Sequence, residues 1–239
     1  MNFGVGSGGS NWGRGVLREL LRQTAEVGGV VLHESDDEWG SLAKYVDAGL
    51  GRRVTVYPPD EQHRAFRVVL ASDLPSNFPR LAGGWTADPA EVVRAVVAWT
   101  GGAGLEETKA QAPCIEFRPW ALVHEREPFG GVELEWHLQL DRIHFPPGDR
   151  DLRTHALLAA AYAQPVLRRL TPATSMMNVW FSTSVRANWK THVGHILWVH
   201  EKGVYGVHNG SEVIARFETA EEAVALVVAT LPEGIGLAR

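Results

Sequence analysis

The chain has 239 residues, 45% of them hydrophobic and 21% charged, enough for one large domain or two small ones that bury a core without disulfide or metal staples. A net charge of −5, with Arg52-Arg53 and Arg168-Arg169 as the only basic pairs, argues against an extended nucleic-acid surface, which needs clustered Lys and Arg. Cys114 is the single cysteine, which excludes an intrachain disulfide, and no apolar run reaches the roughly 20 residues of a membrane span. A cytoplasmic protein that engages neither nucleic acid nor membrane is therefore expected.

Residues 1–13 are glycine-rich and have few apolar anchors, so they read as a flexible tail. Gly4, Gly6 and Gly9 satisfy a GxGxxG pattern, but no strand precedes them to deliver a dinucleotide loop, and no cofactor is expected. From Arg14 to Val27, apolar residues at Val16, Leu17, Leu20, Leu21 and Ala25 follow helical spacing. Gly28-Gly29 stops that helix, and GVVLHE (29–34) reads as the first strand. Arg53 to Tyr57 and Ala65 to Ala71 form an expected antiparallel pair around Pro58-Pro59-Asp60. After LAGGWT, Asp88 caps a helix with Pro89 at its first position and Glu91 three residues past the cap.

Residues 106–170 read as a mainly helical connecting segment, with one piece at Glu133–Leu140 and another at Leu152–Ala163. The Pro/Gly/charge-rich stretch RIHFPPGDRDLR (142–153) is its best internal break. Strands follow at Asn178–Ser182, His195–His200, Val204–His208 and Val213–Phe217, then a helix with Thr219 as cap and Glu222 completing a capping box. The fold class expected is α+β: antiparallel β-meanders with helices packed on one face, in an N-terminal half (14–105) and a C-terminal half (171–239). Setting Asp88 over Thr219 brings Glu91, Val93, Val96, Val97 and Ala98 onto Glu222, Val224, Val227, Val228 and Ala229. That fits a duplication, and it also fits two unrelated capped Ala/Val helices.

Several residues carry a family likeness: Ala161, Tyr162, Pro165, Leu167, Arg168, Leu170, Pro172, Thr174, Ser175, Phe181 and Ser182, then Thr219 to Val224 and Leu231-Pro232. With VVRAVVAWTGGAGLEE (Val92–Glu107) and ALVHE (Ala121–Glu125) upstream, residues 85–232 resemble an uncharacterised family from high-GC filamentous bacteria known as natural product biosynthesis proteins. That label reflects gene neighbourhood and implies a setting, not a chemistry. Where the family pattern has a His after the Thr-Ser pair, this chain has Met176, so no role of that His carries over.

Ten histidines raise the question of a metal. His192, His195, His200 and His208 lie in or near one hairpin around Glu201, Lys202 and Gly203, and His192-x-x-His195 has a ligand-like spacing. Regular alternation puts His200 on the opposite face from His195, so no metal site is expected. Glu133 and His137 stand one helical turn apart, a spacing that serves a surface pair or an acid/base pair. Ser175 and Ser182 lack the Gly-x-Ser-x-Gly elbow of a nucleophile, and the acidic run Asp36-Asp37-Glu38 reads as a loop. Cys114, between Pro113 and Ile115, has no positive neighbour in sequence to activate it and reads as structural.

Nine tryptophans supply rigid contact area, Trp189 beside the hairpin among them. The candidate binding residues are Trp180, His192, His195, Trp198, His200, Tyr205 and His208. The leading expectation is an accessory protein of secondary metabolism that binds a small molecule or a biosynthetic peptide. A toxin-neutralising, immunity-type protein with a protein partner is the second, and a His/Glu acid-base lyase or cyclase the third.

Overall fold

The computed structural model describes residues 12, 15–35, 41–47, 49–60, 63–72, 80–141, 149–175, 177–185, 190–200, 203–236 and 238. Most of the glycine-rich start with its GxGxxG pattern, the acidic run at Asp36, and Met176, Trp189, Glu201 and Lys202 lie outside them. The described residues fall into two compact units, one up to Pro128 and one from Phe129 onward. The helical stretch between the two sheets is shared between these units.

In the first unit, helix α1 (Val16–Val27) buries Leu17, Leu21 and Ala25, the i, i+4, i+8 stripe of an amphipathic helix. Strands β1 (Ala43–Asp47), β2 (Arg52–Tyr57), β3 (Phe66–Ser72), β4 (Arg80–Thr86) and β5 (Glu116–Phe117) form an antiparallel sheet in sequence order. Helix α2 (Pro89–Thr100) packs with α1 on one face of this sheet, burying Val92, Val93, Val96 and Trp99 against Val54, Val56, Val68 and Leu70. Short helices α3 (Leu105–Gln111) and α4 (Pro119–Arg126) flank β5. The strand expected at residues 29–34 does not form. Only Glu34 bridges to Tyr45, with Ser35 N–H donating to the Lys44 carbonyl and Val46 N–H to the His33 carbonyl. Trp12, assigned above to the tail, packs edge-on against Phe66, with ring centroids 5.7 Å apart.

The second unit opens with α5 (Gly131–Leu140) and α6 (Asp149–Tyr162), followed by a 3₁₀ turn, Leu167–Arg169. Five strands then run as one antiparallel meander: β6 (Thr171–Ser175), β7 (Asn178–Ser182), β8 (His192–Val199), β9 (Tyr205–His208) and β10 (Val213–Phe217). Helix α7 (Ala220–Ala229) starts in the expected capping box: the Glu222 amide donates to Thr219 Oγ1, and the Thr219 amide to the Glu222 carboxylate. Helices α6 and α7 pack together over one face of the sheet, which presents Val179, Phe181, Leu197, Val199 and Val207 to them. Trp136 on α5 is 2% exposed, stacks toward Phe181 and donates its indole N–H to the Leu170 carbonyl, joining α5 to the entry of β6. The expected α+β class, with antiparallel sheets and helices on one face, describes both units.

Candidate functional site

Alternation along β7, β8 and β9 sends one set of side chains to the helices and the other to the opposite face. That opposite face carries Asn178 and Trp180 from β7, Ile196 and Trp198 from β8, and Gly206 and His208 from β9. Cross-strand pairing aligns Asn178 with Trp198, Trp198 with Gly206 and Ile196 with His208. Three features concentrate them into a site. Gly206 is indispensable to the geometry, because a Cβ there would lie 2.2 Å from the Trp198 ring, so the indole rests flat across its neighbour's backbone. The Trp198 and His208 rings then meet edge to face at 5.4 Å and 71°. Finally, the β9–β10 turn folds over: Asn209 Oδ1 accepts the amides of Ser211 and Glu212, and the Gly210 amide donates to His208 Nδ1 at 3.0 Å.

A shallow cavity of about 230 Å³ results, lined by Asn178, Trp198, His208 and the turn from Gly210 to Val213. His208 is fixed in one tautomer. Its Nδ1 accepts from Gly210, so the proton sits on Nε2 and points to Asn178 Oδ1 at 3.2 Å. Burial holds its pKa below the ordinary histidine value, so the ring is neutral at pH 7. A neutral imidazole with both nitrogens engaged is a wall of the cavity and offers no lone pair to a substrate proton.

The other candidates are dispersed. His192 is exposed where β8 starts, paired with Ser182. Gly194, His195 and Ile196 form a bulge opposite Trp180, with Gly194 at φ +70°, where a Cβ would stand 2.9 Å from the Leu231 side chain. His200 lies past the end of β8 in the turn to β9, where its amide donates to the Val204 carbonyl and its own carbonyl accepts from Arg153. Tyr205 stands on the helix-facing side, packed against the core beside Phe217. The expected cluster thus contracts to Trp198 and His208, with Trp180 on the same face. Among the described residues no group of three or more His, Cys, Asp or Glu side chains could hold a metal. Asn178 is the member that sequence reading missed, since only strand register places it beside His208.

Other polar residues have structural duties. Ser182 is fully buried and holds the turn after β7, exchanging hydrogen bonds with Ser184 and sharing one with Thr191 at 2.7 Å. His137 stacks on Phe129 at 4.8 Å. In the first unit Glu91 accepts from Thr86 Oγ1 at 2.5 Å and from the Cys114 amide at 2.7 Å. Burial, with the Glu91 carboxylate beside it, pushes the Cys114 thiol up to about 12, so it is protonated and unreactive at neutral pH.

No helix among the described residues is long and apolar enough to cross a membrane. No curated protein and no solved structure matches the chain. Residues 131–239 match the model of DUF6193, a family of unknown function; this match starts at Gly131 rather than near Trp85, where the likeness read from residues began. Residues 131–239, nearly the whole of the second unit, are thus similar to an uncharacterised domain family.

Proposed function

We propose that the chain is an accessory binding protein of bacterial secondary metabolism that holds a small molecule or a biosynthetic peptide on the Trp198–His208 shelf of its second unit. The observation that carries this reading is the engagement of both His208 nitrogens, by Gly210 and by Asn178. An imidazole spent in this way supports recognition over proton transfer, because a general base needs a free lone pair within reach of the proton it removes. Trp198 supplies a flat apolar surface, and Asn178 and the turn amides supply polar edges, the mixture that small-ligand sites use to bind and orient. The setting in secondary metabolism rests on the family likeness of the helix-to-strand residues from Ala161 to Ser182.

Native mass spectrometry of the protein drawn from its own host tests the reading. A bound mass is expected on the wild-type chain, with occupancy at least about tenfold lower in Trp198→Ala, the loss of one buried aromatic contact. A bare chain in both samples, or equal occupancy in both, overturns it.

A further inference from the structure

The second sheet ends at β10, and among the described residues no strand pairs with the outer side of β10. Three other sheet edges are protected. In the first unit, β1 is flanked by residues 33–35, and β5 is two residues long. In the second, β6 carries Pro172, which has no amide to offer a newcomer. β10 has five residues, no proline, and two large apolar side chains in the open, Val213 at 51% and Ile214 at 43% exposure. Natural sheets seldom leave such an edge bare, because it templates further pairing.

We propose that β10 is the docking edge for an extended, basic peptide, which adds as a sixth strand while one of its side chains reaches over Val213 into the Trp198–His208 cavity. This deepens the binding reading above by naming the ligand class, and it rests on that reading. The edge and the cavity adjoin, because Val213 begins β10 and lines the cavity. The bulge at Ile214 interrupts the ladder to β9, so the regular pairing surface is Ala215 to Phe217. Charge selects the occupant. Glu212 and Glu218 are exposed at the two ends of the strand and Glu221 follows on α7, against the single cation Arg216. A peptide carrying Lys or Arg at its ends complements this edge, whereas a second copy of the chain brings the same net-negative edge. In strand addition the main chain supplies affinity, and alternate side chains supply selectivity.

The test uses the full chain and a fluorescein-labelled heptapeptide, Lys-Val-Thr-Val-Thr-Val-Lys, read by anisotropy. Saturable binding is expected, at least about tenfold weaker for the peptide with Glu in place of both Lys and for the Ile214→Lys protein. Backbone N-methylation of one alternate set of peptide residues should abolish binding while methylation of the other set leaves it, since only one row of amides faces β10. Amide shifts in an ¹⁵N-labelled chain should centre on Ala215–Phe217. No saturable binding, indifference to methylation, shifts confined elsewhere, or a self-associated chain that the peptide only disperses would each overturn the inference. If the host-purified chain carries a small molecule lost in Trp198→Ala while the peptide fails, the sixth strand falls and the binding shelf stands. A bare host chain together with peptide failure removes both.

Discussion

His208 makes one proton do structural work. Its Nδ1 must be unprotonated to accept the Gly210 amide, and burial disfavours the imidazolium, so the folded state binds a proton less readily than the unfolded chain. Above about pH 6.5 both states are neutral at this residue and its contribution to stability is complete. As the pH falls below that value the unfolded chain takes up the proton first, and stability declines until the folded-state pKa is passed. The urea midpoint of the wild type should therefore drop between pH 7 and pH 5 by more than that of His208→Gln, and parallel curves would contradict the assignment. This residue's type could be read from the sequence, but its role could not. Asn178 lies 30 positions away and meets it only through the β7–β8–β9 register. Of the histidines that sequence spacing ranked beside it, His192 stands at the exposed start of β8, His195 lies in the bulge opposite Trp180, and His200 lies past the end of the strand.

Among the elements, β7, β10 and the capped starts of α2 and α7 were legible because their signals are local: β-branched and aromatic runs, Asp88 with Pro89, Thr219 with Glu222. β1, β4 and β6 were not, and each hides for a physical reason. β1 carries Lys44 and Asp47, and β6 carries Pro172 and Ala173, residues that weaken a strand signal. β4 contains Gly83-Gly84, which look like a turn, yet their purpose is close approach. A Cβ on Gly84 would stand 1.7 Å from the Cys114 carbonyl oxygen, and the Glu91 hydrogen bond to the Cys114 amide pins that segment in place. Gly84→Ala should therefore destabilise the chain by about 3 kcal/mol or more, the upper range for overpacking a filled site. Urea denaturation would measure it, and a change under about 1 kcal/mol would mean the 112–115 segment yields freely.

Among the described residues the chain has two cores that share no buried residue, one built mainly on α1, α2 and β1–β4, the other mainly on α6, α7 and β7–β10. Each unit runs from a helix through an edge segment and four antiparallel strands to a capped helix; residues 33–35 lie along β1 as β6 lies along β7. Expressed alone, residues 129–239 should give a cooperative urea transition by circular dichroism, whereas a gradual, featureless loss of signal would show that they need the rest of the chain. Hydrophobic spacing announced this shared plan at the level of the closing helices but not its extent, since β1, β4 and β6 gave no strand signal of their own. The sheet order carries one more consequence. Among the described residues, every strand of both sheets pairs only with strands next to it in sequence, so none of these strands must be inserted between two already formed. Each sheet can grow by successive hairpin closure as the chain leaves the ribosome, with short loops setting the entropic cost of every step except the addition of β5.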